Sequence, residues 1–112
     1  MTISFNETDG FAKDFKRLAK KYRSLPNDLL EFKKVVTALP LGSGKHFAVL
    51  RNSGEVIIIK ARLFCQNLRG SSLRIIYAHK ASSGAIDFIE LYFKGEQANE
   101  DRGRINVYLK RG

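Results

Sequence analysis

The chain predicts an α+β domain: an N-terminal strand and an antiparallel helix pair packed on a small, twisted, mainly antiparallel sheet, with a short C-terminal helix. Two observations carry this expectation. Helical patterning fills the first half, while the second half holds three segments rich in Ile, Val, Phe and Tyr, at 56–62, 73–79 and 86–94. These segments are bounded by Gly, Ser or Asn, as hairpin-linked neighbours are, and no helix separates them as a doubly wound parallel sheet would require. At 112 residues and 44% hydrophobic content, the chain suits one domain spanning 1–112.

Each element has a local reason. Residues 2–7 alternate Ile3 and Phe5 with polar neighbours, which suits a strand. Thr8 or Asp9 can cap a first helix, in which Phe11, Phe15, Leu18 and Tyr22 form one apolar stripe. Its other face carries Lys13, Lys16, Arg17, Lys20 and Lys21 and reads as solvated. Ser24 can cap a second helix with Pro26 in its first turn; Leu29, Phe32, Val36 and Leu39 form its expected buried side, and Pro40 with Gly42-Ser-Gly44 ends it. A hairpin turn at Asn52-Ser-Gly54 joins 46–51 to 55–63. Asn99 is expected to open the last helix, with Glu100 and Asp101 at its positive end and Lys110 and Arg111 at its negative end. The order is β-α-α-β-β-β-β-α.

Charge is the strongest compositional signal. Twenty Lys and Arg against eleven Asp and Glu leave +9, and the sequence pI is near 9.9. A small domain this basic is a candidate for nucleic acid or another polyanion, and an acidic protein would satisfy the same charge. A single cysteine, Cys65, cannot form an intramolecular disulfide. The N-terminus lacks the pattern of a signal peptide, and no apolar run approaches the ~20 residues of a membrane span, so a cytoplasmic protein with no membrane partner is expected.

Strand alternation puts Lys60 and Arg62 on one face, Arg74 with Ile76 and Ala78, and Glu90 with Tyr92 and Lys94. If these faces align, cations, a carboxylate and a phenol converge. Arginine forks bind phosphate oxygens bidentately, so Arg62 and Arg74 could clamp one phosphate and stabilise a phosphoryl transition state. Lys60 and Arg69 could guide the flanking backbone, and Tyr92 could stack on an unpaired base. Pattern alone leaves an equal alternative, in which Arg74 pairs with Glu90 across the sheet and Tyr92 covers apolar surface.

Other chemistries find little support. His46 and His79 have no metal-ligand spacing, His79 falls on the core side with Tyr77, and Asp87 and Glu90, three apart, are expected on opposite strand faces. No serine or cysteine sits in a nucleophile elbow. Gly42-Ser-Gly-Lys45 lacks the spacing of a phosphate loop, and Lys45 remains only as an RNA-binding cation. No cofactor or metal is expected.

Lys60-Ala-Arg-Leu63, followed by Arg69-Gly-Ser-Ser-Leu-Arg-Ile-Ile-Tyr77, resembles the central signature of RelE/ParE-superfamily toxins. Phe11-Ala-Lys-Asp-Phe-Lys-Arg-Leu18 is similar to that family's first helix, and Leu91-Tyr-Phe-Lys94 to its final strand. The resemblance implies a RelE-like fold and the toxin of a type II toxin–antitoxin pair, which cuts messenger RNA on the ribosome without a metal and is blocked by a cognate acidic antitoxin. By the same resemblance Arg74 would contact the phosphorane, Arg62 would assist, Lys94 would act as acid or further charge, and His46 lies where some relatives place a base. Asp101 falls near a position where some relatives use a tyrosine, a departure from the pattern. The ParE branch instead poisons DNA gyrase without cutting RNA, and a non-catalytic nucleic-acid-binding domain is the more distant alternative.

Overall fold

The computed structural model describes residues 3–69 and 72–111; the expected start of the first strand at Thr2 and the Gly70-Ser71 part of the basic loop lie outside them. The elements run β1 (Phe5–Glu7), α1 (Asp9–Lys21), α2 (Leu25–Ala38), β2 (Phe47–Asn52), β3 (Val56–Phe64), β4 (Ser72–Lys80), β5 (Ile86–Phe93) and α3 (Arg102–Arg111). This is the predicted order. The sheet is arranged β1-β5-β4-β3-β2, with β1 parallel to β5 and every other pair antiparallel.

Its two faces carry different layers. Odd-numbered β3 and β4 residues Ile59, Ala61, Leu63, Leu73, Ile75 and Tyr77 meet Phe11, Leu18, Leu29, Phe32 and Val36 of the helix pair. The even-numbered set, Ile58, Ile76 and Ala78, joins Ile89 and Tyr92 of β5 under Ile105 of α3. Burial of these aliphatic and aromatic side chains on both faces is the main stabilising term. Thr8 caps α1 by accepting the Phe11 N–H at 3.2 Å, and the basic residues on the far side of α1 are exposed, as expected.

Four local expectations need correction. Leu39 is half exposed because α2 ends at Ala38 and the chain turns away there. Ser24 holds the N-cap position without capping: its hydroxyl donates to Asp28 at 2.7 Å and accepts the Asn67 N–H, tying the loop after β3 to α2. The last helix starts at Arg102, and Asp101 caps it by accepting the Arg104 N–H at 3.1 Å, because Glu100 is committed to the sheet instead. Finally, Asp87 and Glu90 lie on the same face.

A bulge causes this last difference. Ile76 pairs with Glu90 and Tyr77 with Phe88, leaving Ile89 as the extra residue. The Ile89 carbonyl accepts from the Thr8 hydroxyl at 3.2 Å and from the Arg104 guanidinium at 3.1 Å. Side chains from α1's start and from α3 thus replace the sheet bonding that the bulge interrupts. Both carboxylates then face α3. Glu90 accepts the Asp101 N–H and the Gln97 amide, each at 2.8 Å, while Asp87 accepts the Tyr108 hydroxyl at 2.6 Å.

Besides these bonds, the 2.7 Å Arg104–Asp14 ion pair and the 2.7 Å hydrogen bond from Arg51 to Asn106, α3 is held through buried Ile105, with Tyr108 and Leu109 packed half-buried beside it. Truncating a buried Ile to Ala costs about 2–5 kcal/mol, the lower end where the site can collapse. Ile105→Ala is therefore expected to loosen α3 by about 2 kcal/mol. Hydrogen exchange would show faster exchange across 102–111 with the amides of β3, β4 and β5 still protected.

Candidate nucleic-acid interface

The uninterrupted β3–β4 register sets the site. Lys60 faces Ile76, Arg62 faces Arg74 and Phe64 faces Ser72. On the next strand, Arg74 faces Tyr92. The faces therefore align as the alternation predicts, and His46, just ahead of β2, joins them, its carbonyl accepting the Arg62 N–H at 3.0 Å. Exposure rises along β3, from buried Ile58 through Lys60 to exposed Arg62 and Phe64. The face is one surface in two halves: an apolar half under α3 and a cationic half beyond it.

A shallow groove of about 290 Å³ occupies the cationic half, lined by Lys45, His46, Lys60, Arg62, Arg74 and Lys94 together with small and apolar residues of β2 and β3. Six of the eight site residues expected from sequence thus come together. Among the described residues no carboxylate lines the groove. Arg74 donates to the Ser72 hydroxyl at 2.8 Å and to its carbonyl at 3.2 Å, which fixes the guanidinium beside Arg62. Among the described residues, neither Arg62, Arg74, Lys45 nor Lys94 has a carboxylate partner. The alternative Arg74–Glu90 pair is absent, because Glu90 stands opposite Ile76 and is satisfied by Asp101 and Gln97.

Lys60 marks the border between the halves. Its ammonium pairs with Glu100 at 3.0 Å. Burial works to lower the Lys60 pKa, but the contacts with Glu100 and the Tyr92 phenol together outweigh it and the pKa is raised. Glu100 answers in kind: burial works upward, while hydrogen bonding and the Lys60 charge bring its pKa below the ordinary glutamate value. Lys60 is charged at every physiological pH.

Two expected residues sit elsewhere. Tyr92 is 2% exposed and cannot stack on a base, because α3 lies across it with Ile105. Burial raises the pKa of its phenol, against the nearby Lys60 ammonium, which works to lower it. Arg69 lines a neighbouring groove of about 470 Å³ with Arg62, Phe64, Ser72 and Asp28, a carboxylate already engaged by the Ser24 hydroxyl and the Gln66 N–H. His46 lies against Phe64, edge to face at 5.3 Å, and its Nδ1 is buried without a partner. Among the described residues no group of three or more His, Cys, Asp or Glu is arranged to hold a metal ion, and no helix is long and apolar enough to cross a membrane. Cys65 is buried, and desolvation pushes its thiol pKa up.

Sequence reasoning missed three participants. Ser72 and Glu100 orient cations through contacts that no pattern encodes. Phe64 carried a signal that was available, since it shares the strand parity of Lys60 and Arg62.

The molecule is thus an α+β protein with a helix pair on one sheet face, a single helix on the other and an open cationic groove beside that helix. It has a RelE-like fold. It is similar to a chain from the crystal structure of the archaeal RelE–RelB complex of Pyrococcus horikoshii OT3, with a TM-score of 0.64 and 23% identity, covering 85% of this chain and 98% of that one. No protein-family profile and no curated protein matches the sequence.

The contacts that hold α3 titrate. Burial works to raise the Asp87 carboxyl, but hydrogen bonds from Tyr108, Asn6 and Lys80 bring its pKa below the ordinary value. A carboxylate with a lowered folded pKa contributes stability that is full above its unfolded value, about 4, and is lost as pH falls through the folded one. Attachment of α3 should be constant near neutrality and weaken below about pH 4. Asp87→Asn should flatten that acid limb, read by pH-dependent hydrogen exchange of 102–111.

Proposed function

We propose that this chain is the toxin of a type II toxin–antitoxin pair and that it cleaves messenger RNA, acting on ribosome-bound transcripts. The observation that carries the reading is the pair of arginines standing directly opposite each other, Arg62 and Arg74, in a groove that no carboxylate among the described residues lines. Like charges placed opposite on neighbouring strands destabilise a sheet, so the arrangement costs stability unless an anion bridges it. A backbone phosphate is such an anion, and two guanidinium forks can hold its oxygens bidentately.

The chemistry needs an internal nucleophile only. The ribose 2′-oxygen attacks the adjacent phosphorus, its proton leaves to a base, the bond from phosphorus to the 5′-oxygen breaks, and that oxygen takes up a proton. The products are a 2′,3′-cyclic phosphate and a free 5′-hydroxyl. Arg74, fixed by Ser72, stabilises the charge that accumulates on the phosphorane, and Arg62 assists from the facing strand. Lys94 supplies the leaving-group proton or a further positive charge. His46, which lines the same groove, is the candidate base. Lys45 and Lys60 hold the flanking backbone.

Partner choice follows from the same surface. The RelE-like neighbour comes from a RelE–RelB complex. An acidic antitoxin laid over the present groove would neutralise the unpaired cations and exclude RNA. A gyrase-directed toxin of the same fold is the competing reading, and cells distinguish the two. Expression of the wild type is expected to arrest growth with new messenger RNA ends. Arg74→Ala should fold normally and lose cleavage by about 10²-fold or more, the scale of removing one transition-state contact. Intact transcripts together with gyrase-dependent DNA breaks would sink the nuclease reading.

A further inference from the structure

The cationic face carries one aromatic side chain that the cleavage chemistry leaves unused. Phe64 ends β3 and is 64% exposed. It is the only aromatic among the large exposed apolar residues described, and none of the others lines either groove on this face. Strand parity places it beside Arg62, and its register partner is Ser72, the residue that holds Arg74. His46 braces the ring edge to face at 5.3 Å and 81°, leaving most of it open. Arg62 lines the groove on one side and is shared with the second groove, where Arg69 and Phe64 meet.

We propose that Phe64 is the stacking platform for one unpaired nucleobase of single-stranded RNA, held between phosphates bound by the Arg62–Arg74 pair and by Arg69. The assignment rests on the RNA reading of the groove. Its physical basis is the juxtaposition of a solvent-exposed π-face with unpaired cations on two sides, the combination that binds single strands: charge tracks the backbone and the aromatic ring takes the base. A protein segment docking through apolar contacts would need a larger exposed apolar area, and apart from the small Ala48 the other apolar residues lining these grooves are buried or half-buried. The ring offers no hydrogen-bonding edge, so it selects by stacking strength, purine over pyrimidine, and not by base identity. Fixing the base also fixes its ribose, which limits the angles from which a 2′-oxygen can approach the phosphate at Arg74.

The chain contains no tryptophan, so Phe64→Trp installs a single fluorescent reporter at the site. Two probes are titrated into the full chain: a single-stranded oligoribonucleotide, and its abasic counterpart of equal length and charge. Phe64→Leu should bind the intact strand at least about fivefold more weakly than the wild type, with abasic binding unchanged. Phe64→Trp should restore affinity, and its fluorescence should be quenched by the intact strand but not by the abasic one. Wild-type affinity in Phe64→Leu, or equal quenching by both probes, overturns the subsite, whatever the substitution does to a protein partner. If that result comes with a loss of binding in Arg74→Ala, the groove still binds RNA and only the subsite fails. No binding of either probe by the wild type overturns the proposed function and the subsite together.

Discussion

The unbroken antiparallel register of β3 against β4 is the constraint from which the rest of the molecule follows. Nine residues of one strand face nine of the other, from Val56 opposite Lys80 to Phe64 opposite Ser72, without a bulge. Because the side-chain period of a strand is two, a slip of one residue would exchange the two faces. Ile59, Ala61 and Leu63 would leave the helix pair, and Lys60 and Arg62 would enter the core. Burying two unpaired cations is far more costly than any local gain, so the apolar core and the cationic groove enforce the same register.

The bulge at Ile89 is the complementary device. It sits one strand further on, where β5 must serve β1, α1 and α3 at once. By shifting the alternation within β5 it turns both Asp87 and Glu90 toward α3, where each finds donors on that helix or the segment leading into it. The helix then covers the apolar half of the sheet face and ends the cover at Lys60, where Glu100 meets the first cation. A patch that would otherwise be a continuous mixed surface becomes a dry half and a charged half.

That division decides what the charged half can do. Guanidinium groups facing each other across two strands, Arg62 exposed and Arg74 half-buried, repel by about 1 kcal/mol where the surface dielectric is high, a cost the fold carries. The same groups stay ready for a multivalent anion, because Ser72 orients Arg74 without neutralising it. Where a cation of the groove is neutralised, at Lys60, the partner comes from the segment leading into α3. The groove therefore keeps Arg62 and Arg74 without a carboxylate partner beyond the segment that neutralises Lys60.

Element order, the facing of Lys60, Arg62 and Arg74, and the basic groove were all legible in the linear chain, because strand alternation and helical periodicity are local geometry that needs no tertiary information. Tyr92 shows where that legibility stops: alternation placed it correctly on the cationic face, and only the position of α3 showed that it is covered. The same holds for Asp87 and Glu90, whose shared face depends on a bulge stabilised by Thr8 and Arg104, residues distant in sequence. Partner choices such as Glu100 for Lys60 and Ser72 for Arg74 likewise depend on which side chains arrive within hydrogen-bonding distance. Side-chain direction is set by the backbone a residue sits in, and so it was settled by the sequence. Exposure is set by what packs on top, and that was decided only when the last helix crossed the sheet.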